Sequence, residues 1–424
     1  MTSSPPPGVF VPVPTFFKPS TTSTIQAAID VETQVAHSIH LARNGVRGLV
    51  LLGSTGEAIH MSRQERFDMV SGVRKGLTAA GIADYPIMAG VLINSVDEVL
   101  EWLEDFHTAG AQWGLVLAPG YFGAAASQEN IREWYTIVAD RSPIPILIYN
   151  YPGVTNNIIV TPETYRILAQ HPNIVGCKMS HGNVSYHVQV SLDPEINHTK
   201  FKVYSGFGQQ LGPIVLFDAA GVIDGLAAIY PKTVSYLYKL AEKRPIDDAT
   251  LKKIKELQYT VSTAEEFVVA GGIIGIKEAV QRVLGLGTLE GGRLPLKGRL
   301  PDGTWEKWAK AKYACKKPSP RIRNQTDVVI PTSWCEKWVG EVGAVVYSLK
   351  WHQPVKQQLY NLTLNFVLHS NTQLIRYTHI LTIAPLDDTT AATRFDSFNV
   401  YRTSYKSIGD HKIDVGIAAT SHSP

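Results

Sequence analysis

Eight short apolar runs, each followed by a longer amphipathic stretch, recur between Val9 and about Lys243. They are VFVPVPTFF (Val9–Phe17), GLVLLG (Gly48–Gly53), PIMAGV (Pro86–Val91), WGLVLAP (Trp113–Pro119), PILIYN (Pro145–Asn150), NIVGCK (Asn173–Lys178), FKVYSG (Phe201–Gly206) and AGVIDG (Ala220–Gly225). Each run is continuous rather than alternating, the pattern of strands buried on both faces of a parallel sheet. Helical signals fill the intervals. Ile25–Asn44 ends at Gly45, a C-terminal glycine stop. Ser62 and Glu65 are spaced as a capping box. Ser95–Ala109 ends at Gly110, while Ser127 and Thr161-Pro162 open two further helices. This rhythm predicts an α/β fold, a (β/α)8 TIM barrel over residues 8–245. An open doubly wound sheet is the rival, weakened because no G-x-G-x-x-G follows the first run.

Residues 246–315 read as a C-terminal helical region: LKKIKELQYTVSTAEEF, GIKEAVQRVLGLG, a polar GGRLPLKG connector and EKWAKAKYA. After Cys315 the character changes. KKPSPRIRNQTD is a Pro/Ser/basic linker, and residues 316–424 form an atypical extension rich in Thr, Asn, Ser and His. Alternation in YNLTLNFVLH and YTHILTIAP leaves a small β-rich domain open, but a poorly ordered tail is the preferred reading. No function is assigned to it.

Composition excludes several classes. With 44% hydrophobic and 18% charged residues the chain is not intrinsically disordered. A net charge of +3, with its positive excess after Cys315, is too small and too scattered for a nucleic-acid surface. The three cysteines make no CxxC pair and do not cluster with histidines, so neither a disulfide framework nor a metal site is expected. No run of 18 apolar residues suggests a membrane span. MTSSPPPGVF lacks the features of a secretory or transit peptide, so a cytoplasmic location is expected.

In a parallel barrel the chemistry sits at the C-terminal ends of the strands. There the runs end in Gly53-Ser54-Thr55-Gly56-Glu57, Pro119-Gly120-Tyr121, Tyr149-Asn150, Lys178, Ser205-Gly206 and Ile223. A lysine ending a buried strand loses solvation, which lowers its pKa and leaves a free amine able to attack a carbonyl. The alternative is a structural lysine that is ion-paired or reaches solvent. Tyr149, on the neighbouring strand, can move protons, or be a buried aromatic with one hydrogen bond. The GSTG turn can hold a carboxylate through N–H groups and hydroxyls, or be an ordinary loop. Glu57 reads as an organiser of that loop. His181, Asn94 and Asp224 could reach substrate polar groups, though a satisfied or solvent-facing histidine is the preferred reading of His181. Cys177 reads as core packing.

GSTGE (Gly53–Glu57), YNYPG (Tyr149–Gly153) and GCKMSHGN (Gly176–Asn183), in that order on the second, fifth and sixth runs, together resemble the dihydrodipicolinate synthase / N-acetylneuraminate lyase family of class I aldolases. The resemblance covers residues 8–312, including GGRLPL (Gly291–Leu296). It implies that Lys178 forms a Schiff base with a 2-oxo acid and that Tyr149 shuttles protons. It further implies that Ser54 and Thr55 bind the substrate carboxylate, and that Thr55 links Tyr149 to Tyr121. Gly206 and Ile223 would line the pocket. The family implies no metal, no organic cofactor, and a homo-oligomer, a dimer or a tetramer of two dimers, with a tyrosine such as Tyr121 or Tyr151 crossing the interface.

One departure bears on the reaction. Members that condense pyruvate with aspartate semialdehyde carry an arginine shortly after the strand-5 tyrosine, and here that position is Val154. A missing charge-assisted contact costs about 2 kcal/mol or more. The expected reaction is therefore reversible cleavage of a 4-hydroxy-2-oxo acid or 2-keto-3-deoxy sugar acid to pyruvate and an aldehyde. A condensing enzyme of the same family and a catalytically silent binding barrel are the alternatives.

Overall fold

The computed structural model describes residues 3–19, 26–308 and 315, together with the backbone of four strands between residues 344 and 402. Two units are distinguished, Met1–Arg321 and Ile322–Pro424. The first contains eight strands: β1 (Gly8–Pro12), β2 (Gly48–Leu51), β3 (Ile87–Val91), β4 (Trp113–Leu117), β5 (Ile146–Asn150), β6 (Ile174–Met179), β7 (Lys202–Ser205) and β8 (Gly221–Ile223). All neighbours are parallel, and β1 closes on β8 with Gly8 opposite Gly221 and Phe10 opposite Ile223. Every apolar run thus supplies one strand of a closed barrel.

Helices α1 (Val31–Arg43), α2 (Arg63–Ala79), α3 (Val96–Ala109), α4 (Gln128–Arg141), α5 (Pro162–Leu168), α6 (Val184–Leu192), α7 (Leu211–Leu216) and α8 (Pro231–Ala241) make the crossovers. Their starts follow side-chain chemistry. Ser62 Oγ accepts the Glu65 N–H at 3.3 Å while Glu65 Oε2 accepts the Ser62 N–H at 3.0 Å, completing the capping box. Thr161 accepts the Thr164 N–H, with Pro162 in the first turn. Two expected boundaries are corrected. Helix α1 starts at Val31 rather than Ile25, because Asp30 caps it through Thr33 and a bridge between Phe17 and Ile29 keeps the preceding chain extended. Strand β1 stops at Pro12 rather than Phe17, since Pro14 has no N–H with which to continue.

Helix α9 (Asp248–Leu284) joins the two expected helical segments, and Gly272 interrupts it with φ +54° and ψ −149°. The short α10 (Thr304–Lys307) follows. Residues 309–314 of the expected EKWAKAKYA segment, and the linker, lie outside the described residues. Among the described residues no helix is long and apolar enough to cross a membrane.

The second unit carries β9 (Ala344–His352), β10 (Tyr360–Ser370), β11 (Gln373–Ala384) and β12 (Asn399–Arg402), antiparallel in the order β12-β11-β10-β9. The two alternating segments noted in the sequence fall on β10 and β11.

Closure of the barrel requires a close backbone approach where β1 meets β8. Gly221 has φ +149°, and a Cβ there would lie 2.0 Å from the Gly8 carbonyl oxygen. We expect Gly221→Ala to lower stability by about 2 kcal/mol or more. Urea denaturation checks this, and an unchanged midpoint would show that closure does not depend on a bare backbone there.

Candidate active site

The sixth strand delivers Lys178 to the C-terminal rim, and the register of β5 against β6 sets Tyr149 directly beside it. Only 6% of Lys178 is exposed. Its Nζ lies 4.4 Å from the centroid of the Tyr149 ring. Burial lowers the amine from its usual 10.5 to about 7, opposed by the charge of Asp224. Near neutral pH a large fraction is therefore the unprotonated nucleophile.

Tyr149 is buried, and its phenol is 3.2 Å from Ser54 Oγ. Burial pushes that phenol up to about 12, moderated by hydrogen bonds with Ser54 and Ser180. The group is neutral and can donate a proton, and its conjugate base would be strong. Tyr151 stacks on Tyr149, ring centroids 6.1 Å apart.

Ser54 belongs to the turn that leaves β2. Glu57 closes this turn with its N–H on the Ser54 carbonyl at 3.1 Å, and its own φ is +55°, in the left-handed region that disfavours a side chain. The strain is held by burial of its carboxylate. Glu57 forms an ion pair with Lys277 of α9, both side chains almost fully buried, and His60 Nδ1 lies 3.3 Å from the other oxygen. Thr15 Oγ1 donates to the Gly56 carbonyl at 2.7 Å. Arg293, from the GGRLPL segment, fastens the following loop through Glu65, the Ala27 carbonyl and the His60 carbonyl. The C-terminal region thus builds the turn from below.

The structure brings Lys178, Tyr149 and Ser54 together, with Ser180 as a fourth member that sequence reasoning passed over. A small hydroxyl residue two places beyond the strand-end lysine was the available signal. Thr55 stands next to Ser54, half-exposed. Within the single chain the hydroxyl partner of Tyr149 is Ser54, and Tyr121 is 76% exposed, edge-on to Phe122. The physical reason is the loop after β4, which Asn94 and Asn156 pin by its backbone, through the Tyr121 N–H and carbonyl. Asn94 is therefore engaged in holding this loop.

Gly206 donates its N–H to the Met179 carbonyl at 2.8 Å and packs flat on Ser180, where a Cβ would fall 2.0 Å from the hydroxyl. Ile223 is fully buried at the end of β8. His181 is buried, with Nδ1 accepting the Asn183 N–H at 3.3 Å and its ring edge on His187. Burial brings it down to about 4, so it is neutral. Val154, in the single turn after β5, is 51% exposed. Cys177 is fully buried and its thiol is pushed up by burial, an inert packing group. Among the described residues no three His, Cys, Asp or Glu side chains are grouped to hold a metal ion.

A closed parallel barrel with a desolvated lysine at the end of its sixth strand, and a neutral phenol against it, has the equipment of a carbonyl-attacking barrel enzyme. Comparison with known proteins supplies the family. A model described as the dihydrodipicolinate synthetase family matches residues 10–302, and the chain belongs to that family. It is 33% identical over 296 residues to the L-threo-3-deoxy-hexylosonate aldolase of Hypocrea jecorina, covering 68% of this chain and 90% of that one. It is 31% identical over 281 residues to a protein of Emericella nidulans named "Probable 4-hydroxy-2-oxoglutarate aldolase, mitochondrial", covering 66% and 86%. A crystal structure of a dihydrodipicolinate synthase family protein from Coccidioides immitis superposes with a TM-score of 0.63 at 30% identity, over 74% of this chain and 98% of that one. The chain is an enzyme of the class I aldolase type, a carbon–carbon lyase.

The buried pair of Glu57 and Lys277 predicts its own cost. Lys277→Met strands a carboxylate in the core and should destabilise by about 3–5 kcal/mol. Glu57→Gln combined with Lys277→Met should recover much of that loss. Urea denaturation of both variants checks this, and equal losses in the two would show that the charge pairing is not what matters.

Proposed function

We propose that this enzyme reversibly cleaves a 4-hydroxy-2-oxo acid, or a 2-keto-3-deoxy sugar acid of the same pattern, to pyruvate and an aldehyde through an imine on Lys178. The observation that carries the reading is the desolvated Lys178 amine against the Tyr149 ring. The names of the fungal relatives support the substrate class.

The Lys178 amine adds to the C2 carbonyl, giving a carbinolamine. Tyr149 donates the proton with which the hydroxyl leaves as water, and the iminium forms. The C4 hydroxyl then gives up its proton to the Tyr149 oxygen. The C3–C4 bond breaks, its electron pair entering the iminium to give an enamine, and the aldehyde departs. Protonation at C3 and addition of water return pyruvate and the free amine. The Ser54–Thr55 turn holds the substrate carboxylate, Ser54 and Ser180 keep the Tyr149 oxygen in place, and Gly206 and Ile223 bound the pocket. No metal or organic cofactor enters this sequence of steps.

Val154 supports cleavage over condensation with aspartate semialdehyde, because an exposed valine offers nothing to a second carboxylate. Exposure of Tyr121 and Phe122, at 76% and 79%, supports a homo-oligomer whose second copy covers this loop and brings a tyrosine to the site. Dimer and tetramer separate by analytical ultracentrifugation, and a monomer that is fully active would remove the role of Tyr121. The compartment we attach to this reading is the cytosol, supported by the sparse cysteines, of which Cys177 and Cys315 are free and buried.

Pyruvate with a hydride reductant should covalently trap the wild type at Lys178, and Lys178→Ala should not be trapped. Trapping should fall away below pH 7, where protonation removes the nucleophile from an amine that titrates at about 7. Among substrates, 4-hydroxy-2-oxoglutarate and 2-keto-3-deoxy acids should release pyruvate. Condensation with aspartate semialdehyde should be slower by roughly thirtyfold or more. A wild type that is never trapped, or an alanine variant trapped equally, sinks the assignment and leaves a binding barrel.

A further inference from the structure

Behind the reacting lysine lies a second buried ionisable cluster that the cleavage steps do not use. In the barrel register Met179, Ser205 and Val222 stand side by side on β6, β7 and β8. Lys178 is one residue before this row and Asp224 two after it, so both reach the same rim. Asp224 is completely buried and Glu265, from α9, is 3% exposed. Asp224 Oδ1 accepts the Gly208 N–H at 3.1 Å and Oδ2 accepts the Ala227 N–H at 3.0 Å. Glu265 Oε1 accepts the Leu226 N–H at 3.3 Å. The two carboxyl groups also bond to each other, and both lie against Gly208, where a Cβ would sit 2.7 Å from Asp224 Oδ1 and 2.9 Å from Glu265 Oε1.

Two carboxylates cannot both stay ionised in contact within a core. Burial and the neighbouring Asp224 charge raise Glu265 far above the usual carboxylate range, so Glu265 keeps its proton and donates it to Asp224. Asp224, accepting from two backbone amides and one carboxylic acid, has the partners of an ionised carboxylate. The cluster therefore holds one negative charge, fixed in position and away from water.

We propose that Asp224, held in place by the Gly208 and Ala227 amides and packed against Glu265, is the built-in counter-charge of Lys178, stabilising the cationic iminium that forms there. The proposal deepens the aldolase reading and rests on it. Asp224 is a positioning residue: with its oxygens committed to Gly208, Ala227 and Glu265, it acts through the charge on Lys178 rather than on the substrate hydroxyls. Its field opposes the desolvation of the amine. A buried lysine with no opposing charge is a good nucleophile, but its iminium is poorly stabilised; a fixed carboxylate favours the cation in every step after water leaves.

The other groups facing this cluster do not supply the charge. Tyr149 of β5 faces Lys178 as a neutral phenol, its proton held to about 12. The Cys315 thiol, which feels both carboxyls, is pushed up to about 12 and stays neutral. Glu266, the neighbour of Glu265 on α9, adds repulsion that reinforces protonation of Glu265.

The test compares full-length wild type, Glu265→Gln, Asp224→Asn and the double variant, each checked for folding by circular dichroism. The rate of pyruvate trapping by cyanoborohydride is read by intact mass from pH 5.5 to 9, alongside kcat and KM for retro-aldol cleavage. Glu265→Gln keeps a donor to Asp224 and keeps the charge, so its acid limb should stay where the wild-type limb is. The double variant, in which neither group can ionise, should move the limb at least half a unit towards acid. It should also lose tenfold or more in kcat, with KM within threefold. If it fails to fold, Asp224→Asn carries the same expectation. A folded charge-free variant with an unmoved limb and unchanged kcat overturns the proposal, as does an equal shift in Glu265→Gln. Wild type that traps pyruvate while the double variant shows no shift removes this inference alone; wild type that never traps it removes the aldolase reading and the inference together.

Discussion

Desolvation of one amine sets the terms for the rest of this structure. Moving Lys178 from its usual 10.5 to about 7 disfavours its charged form by something on the order of 5 kcal/mol. A surface loop cannot impose such a cost, because a long flexible side chain would swing to water. The closed barrel can, since β5 and β7 flank the strand that carries Lys178 and the Tyr149 ring lies against its amine. The same closure requires the bare backbone of Gly221 against Gly8 on the side where β1 meets β8.

Around that amine the protein arranges neutral hydroxyls on one side and a single fixed charge on the other. Tyr149, Ser54 and Ser180 form a short chain of O–H groups that can pass protons without carrying charge in the ground state. The negative charge of Asp224 sits apart from them and is shared with no solvent. Separating proton transfer from charge compensation lets each be tuned by different elements: the hydroxyls by β2, β5 and β6, the carboxyls by the end of β8 and by α9.

The C-terminal helices belong to the site as much as to the fold. Lys277 of α9 neutralises Glu57, whose left-handed backbone shapes the Ser54–Thr55 turn. Glu265, twelve residues earlier on the same helix but before the break at Gly272, reaches Asp224 instead. One long element, interrupted at a glycine, thus touches both the Ser54–Thr55 turn and the charge behind the lysine. This explains why a barrel of eight units is followed by a helical region in the same compact body.

Much of this was legible in the amino-acid sequence, because local rules govern it. Continuous short apolar runs separated by helical spacers read as strands covered on both faces, so eight of them pointed to the barrel ahead of an open sheet, and Ser62, Thr161 and Gly110 marked helix ends through chemistry acting over three or four residues. A strand-end lysine, a strand-end tyrosine and a GSTG turn in order pointed to the site. Position by itself left Lys178 undecided between a structural and a catalytic role, since burial of its amine depends on strands far away in the chain. The tertiary structure alone decided the rest. It chose Ser54 over Thr55 as the partner of Tyr149, turned Tyr121 outward, and joined Glu57 to Lys277 across 220 residues and Asp224 to Glu265 across 41. Contacts of that kind leave no periodicity in the sequence. They arise only when closure of the barrel brings distant segments together and removes the water between them.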